Sequence, residues 1–301
     1  MKANLVVAPP GQASAFIDYL ALMKFRLLLL VLISVCIGFF IGANEQTSFF
    51  SLLWVLVGVY CVGGGANTLN QWIERDIDIL MVRTQKRPLP SKRISPNNAL
   101  LFGLAISLVG FVIIAVLVNS LTLILSFLSW LSYLFIYTPI KRKSSINTWI
   151  GAVPGALPAA LGCTAAAGEV TESAFILFLI LYVWQMPHFF AISWIYRKDY
   201  LSGGFKMLSW NDDYGTKSAK HIVIHALLLL PVSSSLFLLG HSGLTYFLLT
   251  ITASLIFIYH SIRFYISPDI RRAKKVFHFS ILYLPILFLA IIFDKIILYL
   301  S

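Results

Sequence analysis

Charge is scarce in this chain of 301 residues: Asp, Glu, Lys and Arg together make up only 12% of it. An average soluble domain carries about twice that fraction, so a soluble globule of this size could not be coated. Cysteine is also scarce. Three residues, Cys36, Cys61 and Cys163, show no close pairing pattern, which excludes a secreted disulfide scaffold. Low-complexity tracts are absent, and a hydrophobic fraction of 59% excludes intrinsic disorder. Acids are outnumbered by bases, 12 to 23. With a mean hydropathy of +0.86, the chain reads as a polytopic membrane protein.

Nine runs are long and apolar enough to cross a hydrocarbon core as helices, which takes about 20 residues each. They fall at 27–43, 50–69, 99–118, 121–138, 147–167, 174–194, 221–240, 244–262 and 276–300. None shows the ten-residue alternation of a membrane barrel. The expected fold is therefore all-α, one integral-membrane unit over residues 1–301. The bases are distributed very unevenly: Lys295 lies on one side of these spans, and the other 22, from Lys2 to Lys275, lie on the opposite side. The positive-inside rule then places the N-terminus and the large loops in the cytoplasm and the C-terminus outside, periplasmic in a bacterial-type inner membrane. Counting acids as well, the two sides carry +14 and −3. The net charge of +11 is thus a topology signal, and no nucleic-acid partner is needed to account for it. No cleavable leader pattern precedes the first span, which is expected to stay as an anchor.

The outer connections are short, whereas those after the second and sixth spans run to about 25 residues, a length that usually carries function. The first reads NTLNQWIERDIDILMVRTQKRPLP over 67–90. Asn67, Asn70, Glu74 and Asp78 recur at spacings of 3, 4 and 4, one face of a helix over three turns, and Asp76 points away. Oxygen donors without His or Cys beside them suit a hard cation, Mg²⁺ before others. Arg83, Lys86 and Arg87 follow at once, with Arg83 and Arg87 placed one turn apart. Bases beside a carboxylate-held metal point to a diphosphate ligand. The plain alternative is a solvated helix end whose acids pair with Arg75 and Arg83.

The second stretch, WQMPHFFAISWIYRKDYLSGGFKML over 184–208, puts Gln185 and His188 near the end of a span, with Pro187 between them to open the backbone. A histidine in a span is either a packed residue or a functional one. Lys198 and Asp199 follow, then Gly203 and Gly204, suited to a cap. Asp212 and Asp213 read as helix-capping or solvated residues. In a third stretch, YTPIKRK, Tyr137 and Lys141 stand one turn apart if the helix continues past Pro139. A phenol ring can shield a developing cation, and an ammonium can hold phosphate. Arg142 and Lys143 read as topogenic. Pro154 and Pro158 suggest a kinked helix along a cavity.

Together these stretches resemble the UbiA superfamily of intramembrane prenyltransferases, over nearly the whole chain from about Phe16. Residues 67–90 are similar to the superfamily's first Asp-rich motif, with Glu74 where Asp is commoner. WQMPHF, KDY with GG and ML, and YTPIKR with GALP are similar to the haem-farnesylating branch. Other branches carry a second Asp-rich motif on the sixth helix, where this chain has Gln185 and His188. Lys24-Phe25-Arg26 stands where Lys-Pro-Arg is frequent. The resemblance implies nine helices around a central cavity capped on the cytoplasmic side, with farnesyl diphosphate and haem B as substrates and Mg²⁺ as cofactor. It also implies haem O as product, with a haem A synthase or terminal-oxidase assembly as candidate partner. The implied metal ligands are Asn67, Asn70, Glu74 and Asp78, with Arg83, Lys86, Arg87 and Lys141 on the leaving group. Tyr137, Gln185, Lys198 and Asp199 are expected to line the substrates. For His188 three roles stay open: iron ligand, propionate contact or water assistance. Two rival readings are a prenyltransferase with another aromatic acceptor and a secondary anion transporter.

Overall fold

The computed structural model describes residues 12–45 and 47–300; Lys2, counted in the charge asymmetry, lies outside them. A short helix α1, Gln12–Met23, precedes the first span, α2, Phe25–Gly42. Helix α3 covers Phe49–Asp78 and α4 covers Pro96–Leu117. Next, α5, Ser120–Leu131, runs through a π turn, Ser132–Tyr137, into the short α6, Thr138–Ile140. Helices α7, Asn147–Ala167, and α8, Glu172–Ile195, follow, then the short α9, Arg197–Ser202. Three long helices close the chain: α10, Thr216–Leu238, α11, Leu244–Ile266, and α12, Ile270–Leu300. Among the described residues nine helices are long and apolar enough to cross a membrane. The chain is a multi-pass integral membrane protein.

Side-chain oxygens start the spans where the sequence offers them. Ser48, Ser95, Asn119 and Thr171 each accept a hydrogen bond from a free backbone N–H of the first turn. Large apolar residues such as Leu30, Leu108, Val116 and Leu289 face outward, as lipid requires. Inside, α8, α10, α11 and α12 share one core built on Leu177, Met186, Phe190, Phe257 and Tyr283. Helix α7 joins that core to α2 by direct backbone contact: a Cβ on Gly38 would lie 1.9 Å from the Ala159 carbonyl oxygen, and one on Gly162 would lie 2.0 Å from that of Val35. Small residues allow this approach where lipid supplies no hydrophobic drive between helices.

Two expectations change. Span two does not stop near Leu69; α3 runs on to Asp78 and carries the carboxylate stripe on unbroken helix. Pro187 does not open the backbone, because α8 is helical through it. In α7, Pro154 and Pro158 sit inside one helix, as their reading as helical residues required. A proline removes one N–H bond each time, and neighbouring helices keep the segment helical in a bundle. The cysteines are free, Cys61 and Cys163 being buried and Cys36 half-buried.

Candidate functional site

The four stripe residues are all buried, Asn70 and Asp78 to 1% exposure. Each is held by a different element. Asn67 donates from Nδ2 to the Met23 carbonyl at the end of α1, 3.1 Å. Asn70 donates to Thr138 Oγ1, 3.0 Å, and that hydroxyl in turn donates to Tyr133 O, 2.8 Å. Their amide nitrogens are so committed, and neither Oδ1 has a partner among the described residues, so both oxygens can serve a ligand. Glu74 Oε1 accepts from Lys141 Nζ at 2.9 Å, and Asp78 receives Arg87 Nη1 at 2.8 and 3.0 Å. Asp76 is exposed and pairs with Arg75 at 3.7 Å.

The π turn sets the position of Lys141. Thr138 N–H reaches back to Tyr133 O, and Lys141 N–H to Tyr137 O at 3.2 Å, so helical winding does continue past Pro139. Such π turns recur at functional sites. The Lys141 ammonium lies 4.4 Å from the Tyr137 ring centroid. Gly151 of α7 admits that ring, since a Cβ there would meet it at 2.3 Å. Burial pulls the Lys141 pKa down, but Glu74, with Tyr137 and Tyr133 adding, carries it above the usual lysine range. Lys141 therefore stays charged.

Arg83 and Arg87 do not share a helical face. Beyond Ile79 the chain runs in turns, and Pro88 and Pro90 keep helix from resuming where they stand. Arg87 folds back onto Asp78, whereas Arg83 is exposed, donates to Tyr200 Oη at 3.3 Å and lies over the rings of Tyr196 and Tyr200. Lys86 is exposed, and the structure gives its side chain no contact with the stripe. Of the plain-alternative pairings only the exposed Asp76–Arg75 one forms; the partners of the two buried acids are Lys141 and Arg87, not Arg75 and Arg83.

Helix α9 and the turn after it cover the site. Met81 packs with Phe205 and Met207, Gly204 turns with φ 69°, and Lys206 N–H donates to Lys141 O at 2.8 Å. Lys198 and Asp199 are on α9, the first exposed and the second half-buried, neither bonded to the stripe. Asp212 caps α10 through the N–H groups of Lys217 and Ser218, and Asp213 pairs with Arg197.

Gln185 is buried at the α7–α8 seam, its Nε2 donating to Leu181 O and Ala152 O and its Oε1 packed on Gly155. His188 occupies the α8–α12 seam, stacked on Trp184 (centroids 5.2 Å apart) and beside Phe277. Its Nδ1 is 2.7 Å from Ser280 Oγ. The Ser280 hydroxyl proton is committed to Phe277 O at 2.6 Å, so Nδ1 carries the imidazole proton and Nε2 keeps its lone pair.

Sequence reasoning missed Lys24. It joins α1 to α2 in a left-handed conformation, φ 56° and ψ 52°. It is half-buried, and its ammonium forms no hydrogen bond or ion pair among the described residues. Burial, with Arg87 and Lys141 adding and Glu74 and Asp78 opposing, lowers its pKa to about 7. In sequence it stands out only within Lys24-Phe25-Arg26, which carried no site role; the break after α1 is what sets it beside the stripe.

The UbiA prenyltransferase family profile matches residues 31–291. The protoheme IX farnesyltransferase of Solibacter usitatus is 39% identical over 287 residues, 92% of this chain and 98% of the relative. That of Cytophaga hutchinsonii is 36% identical over 94% and 99%. Two solved structures share the fold. A digeranylgeranylglyceryl phosphate synthase superposes with TM-score 0.78 at 23% identity, covering 93% of this chain and 98% of that one. A UbiA homolog from Archaeoglobus fulgidus, bound to GPP and Mg²⁺, gives 0.66 at 16% identity over 91% and 99%.

Proposed function

The chain belongs to the UbiA prenyltransferase family, and on that premise we propose that it transfers the farnesyl group of farnesyl diphosphate to a vinyl group of haem B, with addition of water, giving haem O and diphosphate. The names of its relatives support this acceptor over another aromatic acceptor or anion transport. The observation that carries the site is the buried stripe, whose two carboxylates face two cations and whose two amides present free oxygens.

These donors fit one Mg²⁺, a hard cation that takes one or two carboxylates and completes its shell with phosphate and water. When bound, Mg²⁺ supplies Lewis-acid charge on the diphosphate oxygens. The protein's residues account for the rest. Asn70, Glu74 and Asp78, with Asn67 one turn before them on α3, would hold the ion. Lys141 and Arg87 neutralise the acids while the site is empty and turn to the diphosphate when it arrives. Charge balance motivates this exchange: two carboxylates match two cations, and adding a divalent ion with a diphosphate leaves surplus negative charge for Lys24 and Arg83 to meet. As the C1–O bond breaks, its electron pair goes to the diphosphate, whose growing charge these cations stabilise. The rings of Tyr137 and Tyr133 screen the allylic cation. The vinyl π pair bonds to C1, and the resulting cation beside the porphyrin takes up water and loses a proton. His188 Nε2 holds the haem iron, since a neutral imidazole with a fixed Nδ1–H is suited to it. Gln185, Lys198 and Asp199 lie along the acceptor's path and cap. Lys86, exposed, draws in the anionic substrates without touching the stripe.

The reading is tested by incubating the purified protein with haem B, farnesyl diphosphate and Mg²⁺ and weighing the porphyrin. A product heavier by a farnesyl group and a hydroxyl supports it; unmodified haem with diphosphate released, or with none released, overturns it.

The basic rim is proposed to face the cytoplasm of a bacterial-type inner membrane. A reporter fused after Leu89 or Lys206 should then score cytoplasmic and one at Glu169 periplasmic; Glu169 and Lys206 on one side would refute the topology.

Lys24 gives a separate prediction. Its folded pKa lies below the ordinary lysine value, so the unfolded chain binds the extra proton and stability rises with pH across that window. The cost is full below pH 7 and gone above about 10.5. Lys24→Met should raise the unfolding temperature of the ligand-free protein most at pH 6, progressively less towards pH 10, and weaken farnesyl diphosphate binding. Stability unchanged at every pH, with binding intact, would remove Lys24 from the site.

A further inference from the structure

Away from the stripe, the basic end of α11 stands between two clefts. One, of about 460 Å³, lies against α10 and is lined by Thr216, Lys217, Lys220, Tyr265 and Ile266. The other, of about 60 Å³, lies against α12 and is lined by Tyr259, His260, Arg263, Arg272 and Lys275. Three cations converge on the second, and Asp269 is the acid beside them. It pairs with Arg272 at 3.4 Å. Arg263 and Lys275 form no hydrogen bond or ion pair among the described residues. Arg142 and Lys143, by contrast, are exposed on a turn and line neither cleft. Topogenic charge needs no cleft, so convergence between two spans calls for another reason. Immediately above, the outer face of α11 is apolar, with Leu255, Ile256 and Ile262 exposed, and Tyr259 stands at the boundary, where amphipathic rings sit at headgroup level.

We propose that the α11–α12 cleft binds the headgroup of an anionic phospholipid, its phosphate on Arg263, Arg272 and Lys275 and its acyl chains along the outer face of α11. A phosphate diester supplies the acceptor oxygens that Arg263 and Lys275 lack among the described residues, while Arg272, already on Asp269 and the Ser267 carbonyl, keeps further N–H groups for it, and basic clefts between spans are where membranes present it. The wider Lys217–Lys220 cleft offers the same chemistry at lower charge density on the other flank.

The test titrates phosphatidylglycerol into the full chain in detergent and follows the unfolding temperature, with phosphatidylcholine of the same acyl chains and inorganic phosphate as separate arms. Phosphatidylglycerol should raise the temperature saturably, the other two should not, and high salt should abolish the rise. In Arg263→Gln/Lys275→Gln the half-saturating concentration should increase about tenfold or more. Arg142→Gln/Lys143→Gln, matched in charge, should leave it unchanged. Lys275→Gln alone, at an exposed position, should give a shift of about fivefold and serves if the double variant does not fold. An unaltered phosphatidylglycerol response in the cleft variants would overturn the site. So would an equal loss in the charge-matched control, or an equal rise with inorganic phosphate.

Discussion

Glu74→Gln and Asp78→Asn are each expected to lower turnover by about a hundredfold or more and to move the Mg²⁺ requirement upward. The amides keep the shape and remove one charge from a site where charge develops in the transition state, and such contributions commonly reach that size. Folding has to be tracked in parallel. Glu74 and Asp78 each accept from one cation inside the protein, Lys141 at 2.9 Å and Arg87 at 2.8 Å. Removing one partner of a buried pair costs about 3–5 kcal/mol, because the other charge is left uncompensated. Glu74→Gln strands Lys141, whose side chain is 13% exposed, more severely than Asp78→Asn strands Arg87, at 27%. The ligand-free Glu74 variant should therefore unfold at the lower temperature. Mg²⁺ with diphosphate should restore less stability to either variant than to the parent protein. Mg²⁺ alone should bind the parent weakly, since Lys141 and Arg87 already neutralise the acids, and diphosphate should tighten it. Identical Mg²⁺ titrations in both variants and the parent would remove the stripe from the metal site.

Much of this was legible from spacing. A 3-4-4 pattern of polar residues fixes a helical face whatever surrounds it, so the stripe and the outward turn of Asp76 follow from the sequence alone. The span positions follow equally, because lipid forces each apolar run to satisfy its own backbone. What could not be read were contacts between segments far apart in the chain. Lys141 meets Glu74 across 67 positions, and only the π turn after α5, invisible to hydropathy, brings it there. Arg83 and Arg87 were misplaced on one face because a helical spacing was carried into a proline-bearing turn. Lys24 was given no site role because that role depends on the break between α1 and α2, which Lys24-Phe25-Arg26, with Phe in place of the frequent Pro, does not announce. Pro187 of α8 read as an opening of the backbone, since a sequence shows the lost N–H bond and not the packing that compensates for it.

His188→Ala should produce the opposite pattern to the carboxylate variants. The imidazole is clamped by Ser280 and Trp184 with Nε2 unprotonated, which suits iron, whereas hard Mg²⁺ prefers oxygen. The absorption bands of bound ferric haem should shift and haem affinity should fall, while the Mg²⁺ titration stays where it was. His188 touches Trp184, Phe189, Phe277 and Ser280 and none of the stripe residues, so the two sites should respond separately. Ser280→Ala gives the intermediate case. It removes the hydroxyl that fixes the proton on Nδ1 but leaves the ring on Trp184, so haem should still bind with a smaller spectral change. Added imidazole should restore the parent spectrum in His188→Ala, because the truncation leaves a space of the ring's own shape between Trp184 and Phe277. An unshifted haem spectrum in His188→Ala, with no response to imidazole, would rule out iron ligation and leave His188 as a packing residue of the α8–α12 seam. A shifted Mg²⁺ titration in the same variant would show instead that the seam and the stripe act as one coupled centre.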